Sequence, residues 1–294
     1  MIASKRGRSH AHEGTFRDDD FAIEQLSDNW SIVALADGAG SSRASRAGSQ
    51  FVTNRIVKSF DDYEFLQELS NEVQNFYSEE LEEFITEEVI ESMNHETSEN
   101  LKLKSKSIII NKLYTKVKHL HSDIINFAET EALDLKDLHT TLIFTLIKKF
   151  SFGYVILSFG VGDCPINVLE KKDDNVKLLN FLDIGEFGGG TRFITMPEIF
   201  SNPDMVNRFR INCFKDFSKI FLMTDGIYDP KFIVESKLEN IDTWKQFLRD
   251  LDGENEDKIK VDFENDTEIK IQLSNWMDFW SKGNHDDRTL AIIY

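Results

Sequence analysis

Apolar positions along the chain follow two periods. In residues 21–36, 140–181 and 218–224 they come as short runs or at every second position, the spacing of strands; in 62–129 they recur at intervals of three and four, the spacing of helices. Phe21-Ala22-Ile23 opens a first strand, joined through a turn near Asp28-Asn29 to a second at Ile32 to Ala36. The small residues after Gly38 read as a strand-to-helix turn with serine caps, followed by a helix through Phe51-Val52 and Ile56-Val57. Residues 62–93 form an amphipathic helix with Leu66, Leu69, Val73, Phe76, Leu81, Phe84 and Ile85 on its apolar side. A second helix spans 105–129, carrying Ile109, Leu113, Val117, Leu120, Ile124 and Phe127, and the polar stretch Asn94 to Lys104 reads as a loop. Strands follow at 140–147, 152–159, 166–170 and 176–181, and the glycine-rich stretch 185–190 reads as a mobile flap. A strand at 218–224, a helix around Trp244, Phe247, Leu248 and Leu251, an acidic surface excursion at 252–268, a helix at 269–281 and a last strand at 289–294 complete the pattern.

The strand ends share a feature. Ile32 to Ala36 stops at Asp37-Gly38, Ser218 to Thr224 stops at Asp225-Gly226 with Asp229 just beyond, and Tyr154 to Phe159 leads to Gly160-Val161-Gly162-Asp163. Asp286-Asp287 stands before Leu290 to Ile293, and Asp18-Asp19-Asp20 stands before the first strand. A carboxylate at the end of a buried strand is costly to desolvate unless a cation or donor compensates it, and several together raise one another's pKa. Oxygen ligands of this kind suit Mg²⁺ or Mn²⁺; zinc prefers His or Cys, and neither clusters in this sequence. Two such ions ~3.5–4 Å apart can activate water and polarise a phosphoryl oxygen. If Asp19, Asp37, Asp225 and Asp286 share a site, both chain ends belong to one domain, 1–294, with a helical insertion at 62–129.

Composition narrows the partners. The 294 residues are 40% hydrophobic and 29% charged, with a net charge of −18, which argues against nucleic acid or an anionic membrane surface. No apolar run approaches the ~18 residues of a membrane span, the first residues lack a signal-peptide pattern, and a cytoplasmic location is expected. Two cysteines make no disulfide framework, and Cys164 reads as a small buried residue rather than a reactive thiol. His119 and His121, two apart on a helix, do not share a face and read as surface residues. The Gly-Ser segment after Asp37 matches neither a P-loop nor a dinucleotide fingerprint.

Taken in order, Asp-Asp-Asp-Phe (18–21), Ala-Asp-Gly (36–38), Thr-Thr-Leu (140–142), Gly-Val-Gly-Asp (160–163), Thr-Asp-Gly-Ile-Tyr-Asp (224–229) and Asp-Asp-Arg-Thr (286–289) resemble the metal-dependent serine/threonine protein phosphatases of type 2C, in their bacterial-type branch. The resemblance implies an α+β fold: a four-layer αββα sandwich of two antiparallel sheets flanked by helices, with the metals at one end. It also implies removal of phosphate from phosphoserine and phosphothreonine of proteins by direct attack of a metal-bridged hydroxide, with a cognate serine/threonine kinase as counterpart. Carried over, Asp37 bridges two ions, the carbonyl of Gly38 joins it, Asp225 and Asp286 hold the first ion and Asp19 the second, with Asp18 beside it. Asp163 and Asp229, with Asp225, resemble the ligands of a third ion found in some members. Two positions depart from the family. The histidine many members carry after Asp-Gly is Ala39 here, and the phosphate-binding arginine four residues before the first acidic position is Gly14. His10, His12 and Arg17 are the candidates for phosphate binding, His10 also for general acid, and the departures leave a pseudo-phosphatase that binds partners as the rival reading.

Overall fold

Apolar runs too long to alternate become strands buried on both faces. The computed structural model describes residues 1–77, 95–171, 175–183, 190–265 and 267–294, with side chains of the helix that begins at His95 described from residue 100. Strand β3 (Ser31–Ala36) sends Ile32, Ala34 and Ala36 to one side and Val33 and Leu35 to the other, and both sets are buried. Its neighbours are β2 (Asp20–Gln25), β4 (Leu142–Phe150), β5 (Gly153–Val161) and β8 (Phe209–Phe214), in the antiparallel order β2-β3-β4-β5-β8. A second antiparallel sheet has the order β1-β10-β9-β6-β7, built from β1 (Ile2–Lys5), β6 (Ile166–Glu170), β7 (Val176–Leu178), β9 (Phe217–Met223) and β10 (Arg288–Ile293).

The sheets pack face to face through Val33, Leu35, Ile143 and Ile156 of the first and Ile166, Val168, Ile220, Leu222 and Ala291 of the second. Helices cover both outer faces. On the first sheet lie α2 (Ser45–Ser59), α3 (Tyr63–Phe76) and α4 (His95–Thr130), which meet Phe144, Leu146, Leu157 and Phe159. On the second lie α5 (Asp225–Phe232), α6 (Ile241–Leu251) and α7 (Ile269–Trp276), which meet Phe221, Met223, Leu290 and Ile292. The layers are therefore αββα, as the resemblance implies. A short helix, α1 (Arg8–Glu13), lies ahead of β2.

The β2–β3 turn takes positive φ at Asp28 (54°) and Asn29 (58°), residues that tolerate it. Asp28 Oδ2 accepts from Ser70 Oγ (2.5 Å) and Lys148 Nζ (2.6 Å), and Trp30 Nε1 donates to Ser70 Oγ (2.9 Å), tying the turn to α3.

Three readings of the sequence change. Residues from His95 to Lys104 are helical, not a loop: Leu103 and Lys104 face solvent, so the helix continues there without burying an apolar stripe. The other end of the expected 62–93 helix is seen only to Phe76; its later residues, like the glycines at 185–189, fall outside the described residues. The last helix ends at Trp276 rather than 281. His121 is buried, with Nδ1 3.0 Å from the carbonyl of Ile194 and its ring 4.2 Å from that of Phe200, while His119 is exposed. Strands β1 and β8 had no expectation.

Candidate metal centre

The register of two antiparallel strand pairs, one in each sheet, brings the acidic strand ends to one end of the sandwich. Pairing of Asp20 with Ala36 sets Asp18 and Asp19 beside Asp37 and Gly38. Pairing of Leu290 with Met223 sets Asp286 and Asp287 beside Thr224 and Asp225. Glycine is required at two of these points. A Cβ on Gly38 would stand 2.8 Å from the Asp18 carbonyl oxygen, and one on Gly226 would stand 1.9 Å from that of Asp287.

Backbone groups and hydroxyls fix the segments that carry Asp18, Asp19, Asp20 and Asp37. Asp37 is held through its main chain: Thr141 Oγ1 accepts from its N–H (2.8 Å), and its carbonyl accepts from Thr140 Oγ1 and Thr141 N (both 2.8 Å). Asp19 Oδ2 accepts from Thr224 Oγ1 (2.9 Å) and Thr289 Oγ1 (2.6 Å). Along α2, Ser45, Ser49 and Thr53 lie four apart on one face. Ser45 Oγ donates to Asp18 Oδ2 (3.0 Å), Ser49 Oγ to the Asp18 carbonyl (2.5 Å) and Thr53 Oγ1 to Asp20 Oδ2 (3.0 Å). The serine-rich segment serves the acidic motif.

Burial and mutual repulsion oppose ionisation of these carboxylates. Burial, then the charges of Asp225, Asp19 and Asp286, push the Asp37 carboxyl well above its ordinary range, and its side chain meets that of Asp225. Burial and then Asp286 and Asp163 push Asp225 up to about 7. Asp19 rises through burial, Asp287 and Asp225; Asp18 rises through burial against the opposing hydrogen bond from Ser45; Asp163 rises through burial. Asp19 Oδ1 and Asp225 Oδ1 are buried without a hydrogen-bond partner. Orphaned carboxylate oxygens aimed into a cluster of acids are the donor set a hard divalent ion satisfies. The residues present fit Mg²⁺ or Mn²⁺.

The remaining candidates divide. Asp163 is half-buried and accepts from Thr191 Oγ1 (2.8 Å), and Asp229, one turn beyond Asp225 on α5, adds to the field on Asp225 from the exposed rim. His10, Asp286 and Asp287 bring ligand atoms within 4.8 Å of one another. His10 Nε2 is 3.7 Å from Asp18 Oδ2. Burial opposes protonation of His10, but its hydrogen bond to Asp287 and the charges of Asp287, Asp18 and Asp286 prevail and raise its pKa. His12 is exposed. Arg17 spans the Asp19 carbonyl (2.8 Å), the Ser4 carbonyl (3.3 Å) and Asp20 Oδ1 (3.2 Å), the contacts of a brace for the acidic motif. Cys164 is buried against Thr141, and burial raises its thiol pKa, so it is a packing residue. Thr224, Thr289 and Asp287 were present in the quoted motifs without a role; the doubling of aspartate at 286–287 was the one sign of the last.

The sequence matches the family described as protein phosphatase 2C over residues 6–274. No curated protein is significantly similar to it. Among solved structures, a Streptococcus agalactiae serine/threonine phosphatase shares the fold at TM-score 0.53 and 14% identity, over 100% of this chain and 97% of that one. Serine/threonine phosphatase Stp1 from Staphylococcus aureus does so at TM-score 0.51 and 15% identity, over 99% and 92%. A bacterial serine phosphatase does so at TM-score 0.53 and 13% identity, over 99% and 95%. Among the described residues, no helix is long and apolar enough to cross a membrane.

Proposed function

The chain belongs to the protein phosphatase 2C family, and we propose that it is a metal-dependent phosphomonoesterase acting on phosphoserine and phosphothreonine of proteins. The observation that carries this reading is the convergence of acidic groups, in which the charges of Asp225 and Asp286 help to raise Asp37 and that of Asp286 helps to raise Asp225, with orphaned oxygens on Asp19 and Asp225 among the described residues. Residues 1–294 act as one phosphatase domain, and the helices within 62–129 are an insertion in it.

Asp37, the Gly38 carbonyl, Asp225, Asp286 and Asp19, with Asp18 beside it, would hold two Mg²⁺ or Mn²⁺ ions, and Asp163 and Asp229 with Asp225 would hold a third. When bound, such ions supply an activated water and polarise the phosphoryl oxygens for in-line attack. The chain's own residues do the rest. Thr140 and Thr141 fix the Asp37 backbone, and Thr224 and Thr289 orient Asp19. His10, held by Asp287 with its Nε2 near Asp18, is the group placed to bind phosphate or to protonate the leaving serine or threonine oxygen, the role that Ala39 cannot fill. Arg17, engaged on the Asp19 and Ser4 carbonyls and on Asp20 Oδ1, stays a candidate for phosphate binding beside His12. Substrates are the products of serine/threonine kinases. The full set of acidic ligands tells against a pseudo-phosphatase.

The test is Mn²⁺-dependent release of phosphate from a phosphothreonine peptide. Asp37→Asn and Asp225→Asn should each abolish it. Activity that survives in either variant or in EDTA sinks the proposal.

A further inference from the structure

Beside Asp229 the surface turns apolar. A cavity of about 520 Å³ opens between α5 and the loop 279–284, with Asp229, Ile233, Trp280, Lys282 and Asn284 among its walls. Trp280 is 59% exposed, whereas Trp30, Trp244 and Trp276 are buried. Ile233 is 68% exposed and Val234, next to it, 48%.

Ile233 is also strained. It takes φ 70° and ψ −46° at the end of α5, and the N–H of Val234 closes a three-residue turn onto the Phe232 carbonyl (2.8 Å). A β-branched residue in this region is strained. Glycine would take the same turn freely, so the strain maintains an isoleucine side chain in solvent.

Both walls continue into the candidate metal centre. Ile233 ends the helix that begins with Asp225 and carries Asp229. On the other side, Asn284 Oδ1 accepts from the N–H of Asp286 (3.4 Å), and Ser281 Oγ donates to the Asn284 carbonyl (2.8 Å), which fastens the Trp280 loop to the entry of β10. Asp229 belongs both to the cavity wall and to the acidic cluster, so a phosphorylated residue held at the metal centre would have its chain neighbours within reach of this cavity.

We propose that the cavity is a specificity subsite that seats a bulky apolar side chain of the phosphoprotein, from a residue adjoining the phosphorylated serine or threonine. The inference rests on the phosphatase reading above. Trp280 is the anchor, because a rigid aromatic side chain gains most when a partner covers it, and Ile233 forms the opposite wall.

The experiment compares kcat/KM for phosphothreonine peptides flanked on either side by Leu or by Ser, with p-nitrophenyl phosphate as a substrate that has no neighbours. The wild-type chain should favour a Leu-flanked peptide by about tenfold, roughly 1.4 kcal/mol. Trp280→Ala should erase that preference, Trp280→Phe should retain most of it, and turnover of p-nitrophenyl phosphate should be the same in all three. A second readout needs no turnover. A Leu-flanked peptide bearing the phosphonate analogue of phosphothreonine should shield Trp280 from acrylamide quenching, and its Ser-flanked counterpart should not. Failure of wild type to hydrolyse any of these substrates overturns the phosphatase reading, and quenching then still decides the subsite. Hydrolysis without discrimination, discrimination that survives Trp280→Ala, or quenching that neither peptide changes overturns the subsite alone.

Discussion

His10 Nδ1 lies 2.9 Å from Asp287 Oδ2, a contact across 277 positions of sequence. The same oxygen accepts from the N–H of Asp18 (2.6 Å), and Asp287 Oδ1 accepts from the N–H of Gly7 (2.6 Å). One buried carboxylate therefore fastens the N-terminal segment to the start of β10. Asp287→Ala strands three donors at once and should cost about 2–4 kcal/mol, read as a lower urea midpoint. Asp287→Asn, which still accepts, should cost less. Equal midpoints for the two variants would refute this assignment.

The acidic cluster makes metal-free stability depend on pH with a definite sign. Asp37, Asp19 and Asp225 have folded pKa values raised above their unfolded ones, Asp225 to about 7. Between about pH 4 and pH 7 the native chain then binds more protons than the unfolded chain, so stability falls as pH rises through that window. In EDTA, Tm should drop between pH 5 and pH 8. Mn²⁺ at pH 8 should restore it, since an ion that binds only the native state stabilises it. A flat metal-free profile would contradict the clustering.

Ser45 Oγ donates to Asp18 Oδ2, beside the residue proposed to hold the second ion. Ser45→Ala should cost about 1 kcal/mol of stability. Isothermal calorimetry should show the weaker of two Mn²⁺ events weakened further and the stronger one unchanged. Loss of both events would mean that Ser45 supports the whole centre.

Arg208 holds the loop that carries Asp163. Its guanidinium makes a two-pronged pair with Asp183 (2.7 and 2.8 Å) and reaches the Gly160 carbonyl (3.1 Å), while Asp183 Oδ2 also accepts from Gly162 N (2.9 Å). Both partners are buried. Arg208→Ala leaves the buried Asp183 with only the half-exposed Arg192, Nε at 3.9 Å, as a cationic neighbour among the described residues and should cost about 3 kcal/mol. Arg208→Lys, which cannot pair in this fork, should recover less than half of that loss in thermal denaturation. Full recovery by lysine would show that charge alone suffices.

The strands and their acidic ends were legible in the sequence because both are local. An apolar run of β-branched residues that stops at Asp-Gly states its own burial and its own break, as at Asp37 and Asp225. Amphipathic spacing placed α3, the packed part of α4 and α6 for the same reason. Tertiary structure decided what local spacing does not encode. Strand β1 is half-buried and polar enough to pass for a tail until it pairs with β10, Ile2 opposite Ala291. His121 is drawn inward by a carbonyl 73 positions away, and the hydroxyls of Ser45, Ser49 and Thr53 on α2 find their acceptors on Asp18 and Asp20 at the entry of β2. The division has a physical origin: burial is set by side chains a few residues apart, whereas hydrogen-bond partners are set by which surfaces the folded chain brings into contact.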